Sequence, residues 1–181
     1  MMSTTPQFPL YIPSKGRADS RLTARALAAM GIPYRLVIEE QEWDAYAAVE
    51  KPANLLVLDR KYQREYETLD TAGDARSKGP GPARNFIWEH AIAEGHRLHW
   101  VMDDNIRWFG RMRGNARIRA RTGAVFRAME DFALRYVNVA MAGPAYSMFA
   151  TPFEDSGRAT LQMSVLSCTG RTRSYHSLLV A

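Results

Sequence analysis

Four short apolar runs, at residues 8–13, 34–38, 55–58 and 98–102, constrain what this chain can fold into more than any other feature. Each has the length of a strand and meets turn-forming or polar residues, while the stretches between carry apolar residues at helical spacing. The first run closes on Pro13 and passes into Ser14-Lys15-Gly16-Arg17; a helix follows with Leu22, Ala26, Leu27 and Met30 on one face. Asp19 or Ser20 is its expected N-cap and Gly31 its stop. A short helix over 43–49, ended near Pro52, links the second run to the third. Residues 83–93, with Phe86, Ile87, Ala91 and Ile92 on one face and Gly95 beyond, form the helix that leads into the fourth run. Strands and helices in alternation specify an α/β fold, a mostly parallel, Rossmann-like sheet flanked by helices. The 181 residues suit one such domain, since a domain usually spans about 100–200 residues.

The remaining stretches carry weaker signals. Residues 59–82 are polar and rich in Gly and Pro, which predicts a loop with one helical turn around 62–66. Val125, Met129, Phe132 and Tyr136 predict a later helix, and 137–142 a further strand before Gly143-Pro144. No internal repeat is visible.

Composition narrows the function classes. Cys168 is the one cysteine, which excludes an internal disulfide framework, fits a reducing compartment, and is expected to be a small buried hydrophobe. No apolar run approaches the ~18 residues of a membrane span, and the first eight residues lack the charged start of a secretory signal. The expected location is the cytoplasm. A formal charge of +5 and a pI near 9.6 favour an anionic partner. Much of that excess is Arg107, Arg111, Arg113, Arg117, Arg119, Arg121 and Arg127, with no acidic residue among them. Such a block is either a mobile solvated segment or a polyanion contact; arginine favours phosphate, which its guanidinium grips bidentately.

Open α/β sheets bind ligands beyond the carboxyl ends of their strands. Three polar clusters fall there: Ser14 to Arg17, Glu39-Glu40, and Asp103-Asp104-Asn105. The last can supply oxygen ligands to Mg2+ or Mn2+, ions that take one or two protein carboxylates and complete their shell with water and phosphate oxygens. The same residues also build ordinary turns after a strand. A fourth segment, Lys78 to Asn85, is a Gly-rich loop opening a helix; free N–H groups and the helix dipole attract anions there. Pro80 and Pro82 remove donors and Arg84 stands where a dinucleotide fingerprint needs its third glycine, so Arg84 and Asn85 are the candidate ligand contacts. His90, His96, His99 and His176 show no metal-ligand spacing and are expected in structural or surface roles.

The order of these clusters resembles the nucleotide-binding half of GT-A glycosyltransferases, in which an A-R-N segment precedes a strand ending in an acidic motif. Ala83-Arg84-Asn85 and Val101-Met102-Asp103-Asp104-Asn105 match it. Tyr11-Ile12-Pro13-Ser14-Lys15-Gly16-Arg17 with His99-Trp100-Val101-Met102-Asp103-Asp104-Asn105-Ile106 resembles, more narrowly, the TET-associated glycosyltransferases of bacteriophages, over residues 9–149. The resemblance implies a GT-A-like domain over 1–181, with a nucleotide-sugar part at about 9–109 and an arginine-rich loop and partial acceptor side at 110–181. It implies a UDP-sugar donor, a hydroxymethylated pyrimidine in DNA such as 5-hydroxymethylcytosine as acceptor, and Mn2+ or Mg2+. It implies Ser14, Lys15 and Arg17 near the nucleotide, Glu39 near the uridine, Arg84 and Asn85 near ribose or diphosphate, and Asp103 and Asn105 on donor and metal. Asp104 competes for that role, and Asp103 and Asp104 are the candidate catalytic residues. The family normally continues into a late N-E-D motif that this chain lacks, so a truncated product is expected. Two rival readings are a nucleic-acid-binding module without turnover and a donor-binding paralogue that has lost catalysis.

Overall fold

A computed structural model describes residues 4–66, 79–113, 116–144 and 166–168. The apolar runs form β1 (Leu10–Pro13), β2 (Arg35–Ile38), β3 (Leu55–Val57) and β4 (Leu98–Val101). These four are parallel and lie in the order β3-β2-β1-β4; β8 (Leu166–Cys168) adds antiparallel to β4, and β7 (Met141–Ala142) to β8. The chain is thus a single α/β domain whose parallel sheet is flanked by helices, as expected.

Why the runs are apolar at nearly every position, Arg35 and His99 excepted, follows from the layers. Side chains alternate across a strand, and a parallel sheet covered on both faces must be apolar on both. Leu10, Ile12, Leu36, Ile38, Leu98, Trp100 and Met102 pack into one core, and Tyr11 and Val37 into a second on the opposite face. The first core is closed by α1 (Leu22–Ala29), α2 (Trp43–Ala47) and α5 (Ala124–Ala133), the second by α3 (Arg60–Glu65) and α4 (Gly81–Ala93). A fully buried Leu or Ile side chain stabilises the fold by about 1.5–3 kcal/mol. Helices on both faces allow the chain to build β2 and β3 to one side of β1, then cross over and place β4 on the other.

Several expectations shift. Neither Asp19 nor Ser20 caps α1. Arg21 holds the N-cap position at φ 36°, and the free N–H of Thr23 donates to the Asp104 carbonyl at 3.3 Å, so a distant loop does the capping. Gly31 (φ 68°) and Gly95 (φ 79°) end α1 and α4 as expected, each in the left-handed conformation that lets the next N–H reach back to Leu27 O and Ala91 O. The buried face of α1 is Thr23, Ala24, Ala26 and Leu27; that of α4 is Ala83, Ile87 and Ala91, with Ile92 exposed. In α5 it is Phe126, Met129, Glu130 and Ala133, and Phe132 and Tyr136 are exposed. α3 is longer than one turn because Asp59 caps it, its carboxylate accepting from Lys61 N at 2.8 Å. The strand expected at 137–142 shrinks to Met141–Ala142, since β8 offers it only two partners. The arginine block is no unstructured segment: β5 (Gly110–Arg113) and β6 (Ala116–Arg119) pair into an antiparallel ribbon. Cys168 lies in β8, its side chain outside the described residues. Among the described residues no helix is long and apolar enough to cross a membrane.

Candidate functional site

The strand order reverses at β1. β2 lies on one side and β4 on the other, so the loops leaving their carboxyl ends diverge and open a crevice, the usual ligand site of such sheets. The β1 loop contributes Ser14 to Arg17 and the β4 loop contributes Asp103 to Asn105.

Side chains from the two loops join across this crevice. Ser14 Oγ donates to Asp104 Oδ2 at 2.9 Å, and Arg17 Nη1 donates to Asp104 Oδ1 at 2.8 Å. Both oxygens of Asp104 are therefore engaged. Arg84, in the first turn of α4 and with a side chain only 10% exposed, donates to Asp103 Oδ1 at 3.0 Å. Lys15 Nζ meets Glu39 Oε1 at 2.6 Å, which brings the end of β2 into the same constellation. Ser14, Lys15, Arg17, Glu39, Arg84, Asp103 and Asp104 thus form three groups of side-chain contacts, Ser14–Asp104–Arg17, Arg84–Asp103 and Lys15–Glu39, held side by side at the sheet edge by the β1 and β4 loops. Asn85 and Asn105 are exposed nearby in sequence, and Glu40 turns to Arg60 at 2.9 Å.

Sequence reasoning passed over three residues. Tyr46 in α2 is fully buried; its hydroxyl lies 2.7 Å from Ser14 Oγ and accepts from Arg17 N at 3.2 Å. Ser14 has one hydroxyl hydrogen, directed at the Asp104 carboxylate, so Tyr46 is the donor in the Tyr46–Ser14 bond. Burial pushes the Tyr46 phenol up from its ordinary value, and the Ser14 contact opposes the shift only in part. Thr23, also buried, donates to Asp103 O at 2.5 Å and accepts from Ile106 N at 2.9 Å, which fixes the backbone of the acidic loop. Glu42 accepts from the Gly16 N–H. The signal for Tyr46 and Thr23 was a polar tip on a core-facing helical position, visible only once the opposing loop is known.

Among the described residues no three His, Cys, Asp or Glu side chains cluster as a ready-made metal site. A hard dication needs less: Asp103 is 30% exposed and its Oδ2 takes no hydrogen bond from a described residue, while Asn105 offers an exposed amide oxygen. One carboxylate oxygen, one amide oxygen and the oxygens of a bound diphosphate fit Mg2+ or Mn2+. Glu154 and Asp155, the late acidic residues, lie outside the described residues.

An α/β domain that gathers cations, hydroxyls and carboxylates where its strand order reverses has the layout of open-sheet proteins, whose crevice at that point is the usual place for a ligand. The particular lineage is also defined: the chain belongs to the TET-Associated Glycosyltransferase family, whose model matches residues 8–176. The match reaches past residue 149, where the resemblance read from the motifs stopped. No curated protein and no solved structure matches the chain.

Proposed function

We propose that this glycosyltransferase-family chain moves a sugar from a UDP-sugar to the hydroxymethyl group of a hydroxymethylated pyrimidine in DNA, such as 5-hydroxymethylcytosine, assisted by Mn2+ or Mg2+ and working in the cytoplasm. The observation that carries the reading is the junction of Arg84 with Asp103 and of Ser14 and Arg17 with Asp104 across the β1–β4 crevice. In the reaction the acceptor hydroxyl oxygen bonds to the anomeric carbon, the bond from that carbon to the diphosphate oxygen breaks, and the hydroxyl proton passes to a base. Lys15, Arg17 and Arg84 place positive charge where negative charge grows on the departing UDP. Asp103 and Asn105 would hold the dication, which when bound supplies Lewis-acid stabilisation of the leaving group. Asp104, with both oxygens engaged, holds Ser14 and Arg17 in place, and Glu39 sets Lys15 and faces the uridine. Asn85 adds a ribose or diphosphate contact. In this reading residues from about 9 to 109 are the donor side, and 110–181 carry the arginine-rich segment and a partial acceptor side.

UDP with Mn2+ at a hundredfold excess over Kd stabilises a protein by about 2.7 kcal/mol, which for a chain of this size raises Tm by roughly 5–10 °C. The Asp103→Ala variant loses that rise. A melting temperature indifferent to every nucleoside diphosphate overturns the reading. Release of labelled sugar onto hydroxymethylated DNA separates an active transferase from a paralogue that only binds donor.

A further inference from the structure

The arginines of the β5–β6 ribbon take no part in the crevice. Gly110 lies opposite Arg119, Arg111 opposite Ile118, Met112 opposite Arg117 and Arg113 opposite Ala116. Cross-strand partners share a face and neighbours along a strand alternate. Arg117 and Arg119 therefore lie on one face of the ribbon, and Arg111 and Arg113 on the other. All four are exposed, and among the described residues no carboxylate pairs with any of them. The crevice cations Lys15, Arg17 and Arg84 each have such a partner.

The ribbon is held at its base. Phe109 packs edge-on against buried Phe126 with ring centroids 5.0 Å apart, and Ala120 N–H donates to Phe109 O at 2.8 Å, continuing the ladder into the core. A Cβ on Gly110 would stand 2.4 Å from the Trp108 ring and 2.9 Å from Ile118 O, so glycine lets the indole lie against the strand pair. β5 begins five residues after Asn105. Five extended residues reach about 18 Å at most, which ties the base of the ribbon to the neighbourhood of Asp103.

Unpaired guanidinium groups on both faces of a two-stranded ribbon match a polyanion with two walls. The major groove of B-DNA, about 12 Å wide, admits a two-stranded ribbon between its phosphate backbones, and the C5 substituent of a pyrimidine projects into it. We propose that the ribbon enters the major groove of duplex DNA, Arg111 and Arg113 facing the phosphates of one strand and Arg117 and Arg119 those of the other. The groove it occupies is the one that displays the hydroxymethyl acceptor. This inference rests on the proposed acceptor and adds the surface that engages it.

The test compares the full chain with a variant carrying Arg111→Gln, Arg113→Gln, Arg117→Gln and Arg119→Gln, and with each single change. Fluorescence anisotropy of a hydroxymethylated duplex over a salt series reads log K against log salt, whose slope is about −0.9 per phosphate contact. The fourfold variant should bind more than tenfold more weakly, with a slope shallower by roughly 3–4, and each single variant by roughly one. Dimethyl sulfate should find guanine N7, in the major groove, protected by the wild type and open with the variant. The melting shift given by UDP with Mn2+ should be the same in both, which shows that the variant is folded. Unchanged duplex affinity and slope in every variant, or protection confined to adenine N3 in the minor groove, overturns the ribbon. Persistent N7 protection in a protein that no nucleoside diphosphate stabilises leaves the ribbon standing and removes the transferase reading; transfer to duplex that survives the fourfold change removes the ribbon alone.

Discussion

The Tyr46 hydroxyl belongs to a hydrogen-bond chain with a fixed direction, from Arg17 N–H through Tyr46 and Ser14 to the Asp104 carboxylate. A Tyr46→Phe change removes one link and leaves the Ser14 oxygen, in a buried setting, and the partly buried Arg17 N–H short of a partner. A lost hydrogen bond of this kind costs about 1–2 kcal/mol. The expected result is a lower Tm together with a weaker Kd for UDP, measured by calorimetry, because Ser14 and Arg17 lose their fixed placement. A change in Tm with an unaltered Kd would detach Tyr46 from the donor site. Residues of the crevice that belong to polar strand ends, such as Ser14, Arg17 and Asp103, were legible in the sequence. Tyr46 was not, since its spacing marks only a core-facing helical position and its partners lie far away in the chain.

Elements are tied together by a buried carboxylate. Glu130 of α5 is fully buried and accepts from Gln7 N at 2.7 Å, Phe8 N at 3.2 Å and Trp100 Nε1 at 2.8 Å. It joins the segment before β1, the central strand β4 and α5. Glu130→Leu fills similar volume and leaves two buried donors, Phe8 N–H and Trp100 Nε1–H, and the partly buried Gln7 N–H without an acceptor, each buried one costing about 1–3 kcal/mol. The urea midpoint should fall by the equivalent of about 3 kcal/mol or more with an unchanged m-value; a near-neutral outcome would show that water reaches those donors. The spacing of Val125, Met129, Phe132 and Tyr136 predicts the helix α5; Met129 is buried and Phe132 and Tyr136 are exposed, while Glu130 takes a buried position. Period alone places a glutamate outward, and only the convergence of three donors draws it in. The ribbon was illegible for a different reason: Gly110-Arg111-Met112-Arg113 and Ala116-Arg117-Ile118-Arg119 do alternate, but each run is only four residues long and its arginines read as a solvated block.

His99 couples the stability of the whole molecule to acid. Its ring is buried between Tyr11 and Trp88, with centroids 6.0 and 5.8 Å away, and desolvation lowers its pKa to about 4. The unfolded chain protonates near the ordinary histidine value of about 6.5, so between those two pH values only the unfolded state takes the proton. This contribution is flat above about pH 6.5 and lowers stability by about 1.4 kcal/mol per pH unit as pH falls from there towards 4. Urea titrations of the wild type and of His99→Phe should diverge over that window; parallel pH profiles would contradict the assignment. Apolar runs foretold the four parallel strands and hence the edge where the polar side chains of the β1 and β4 loops meet. They could not foretell the order β3-β2-β1-β4 or the antiparallel flank, because both depend on which distant backbones pair.

That flank has a practical consequence. β8 covers the outer side of β4 at Leu98, His99 and Trp100. Any shortened chain that ends before Leu166 leaves the N–H and C=O groups along that edge of β4 unpaired, and a second molecule can add there as a strand. Trimming this domain back to its four parallel strands therefore creates a self-associating edge in the middle of what had been its interior.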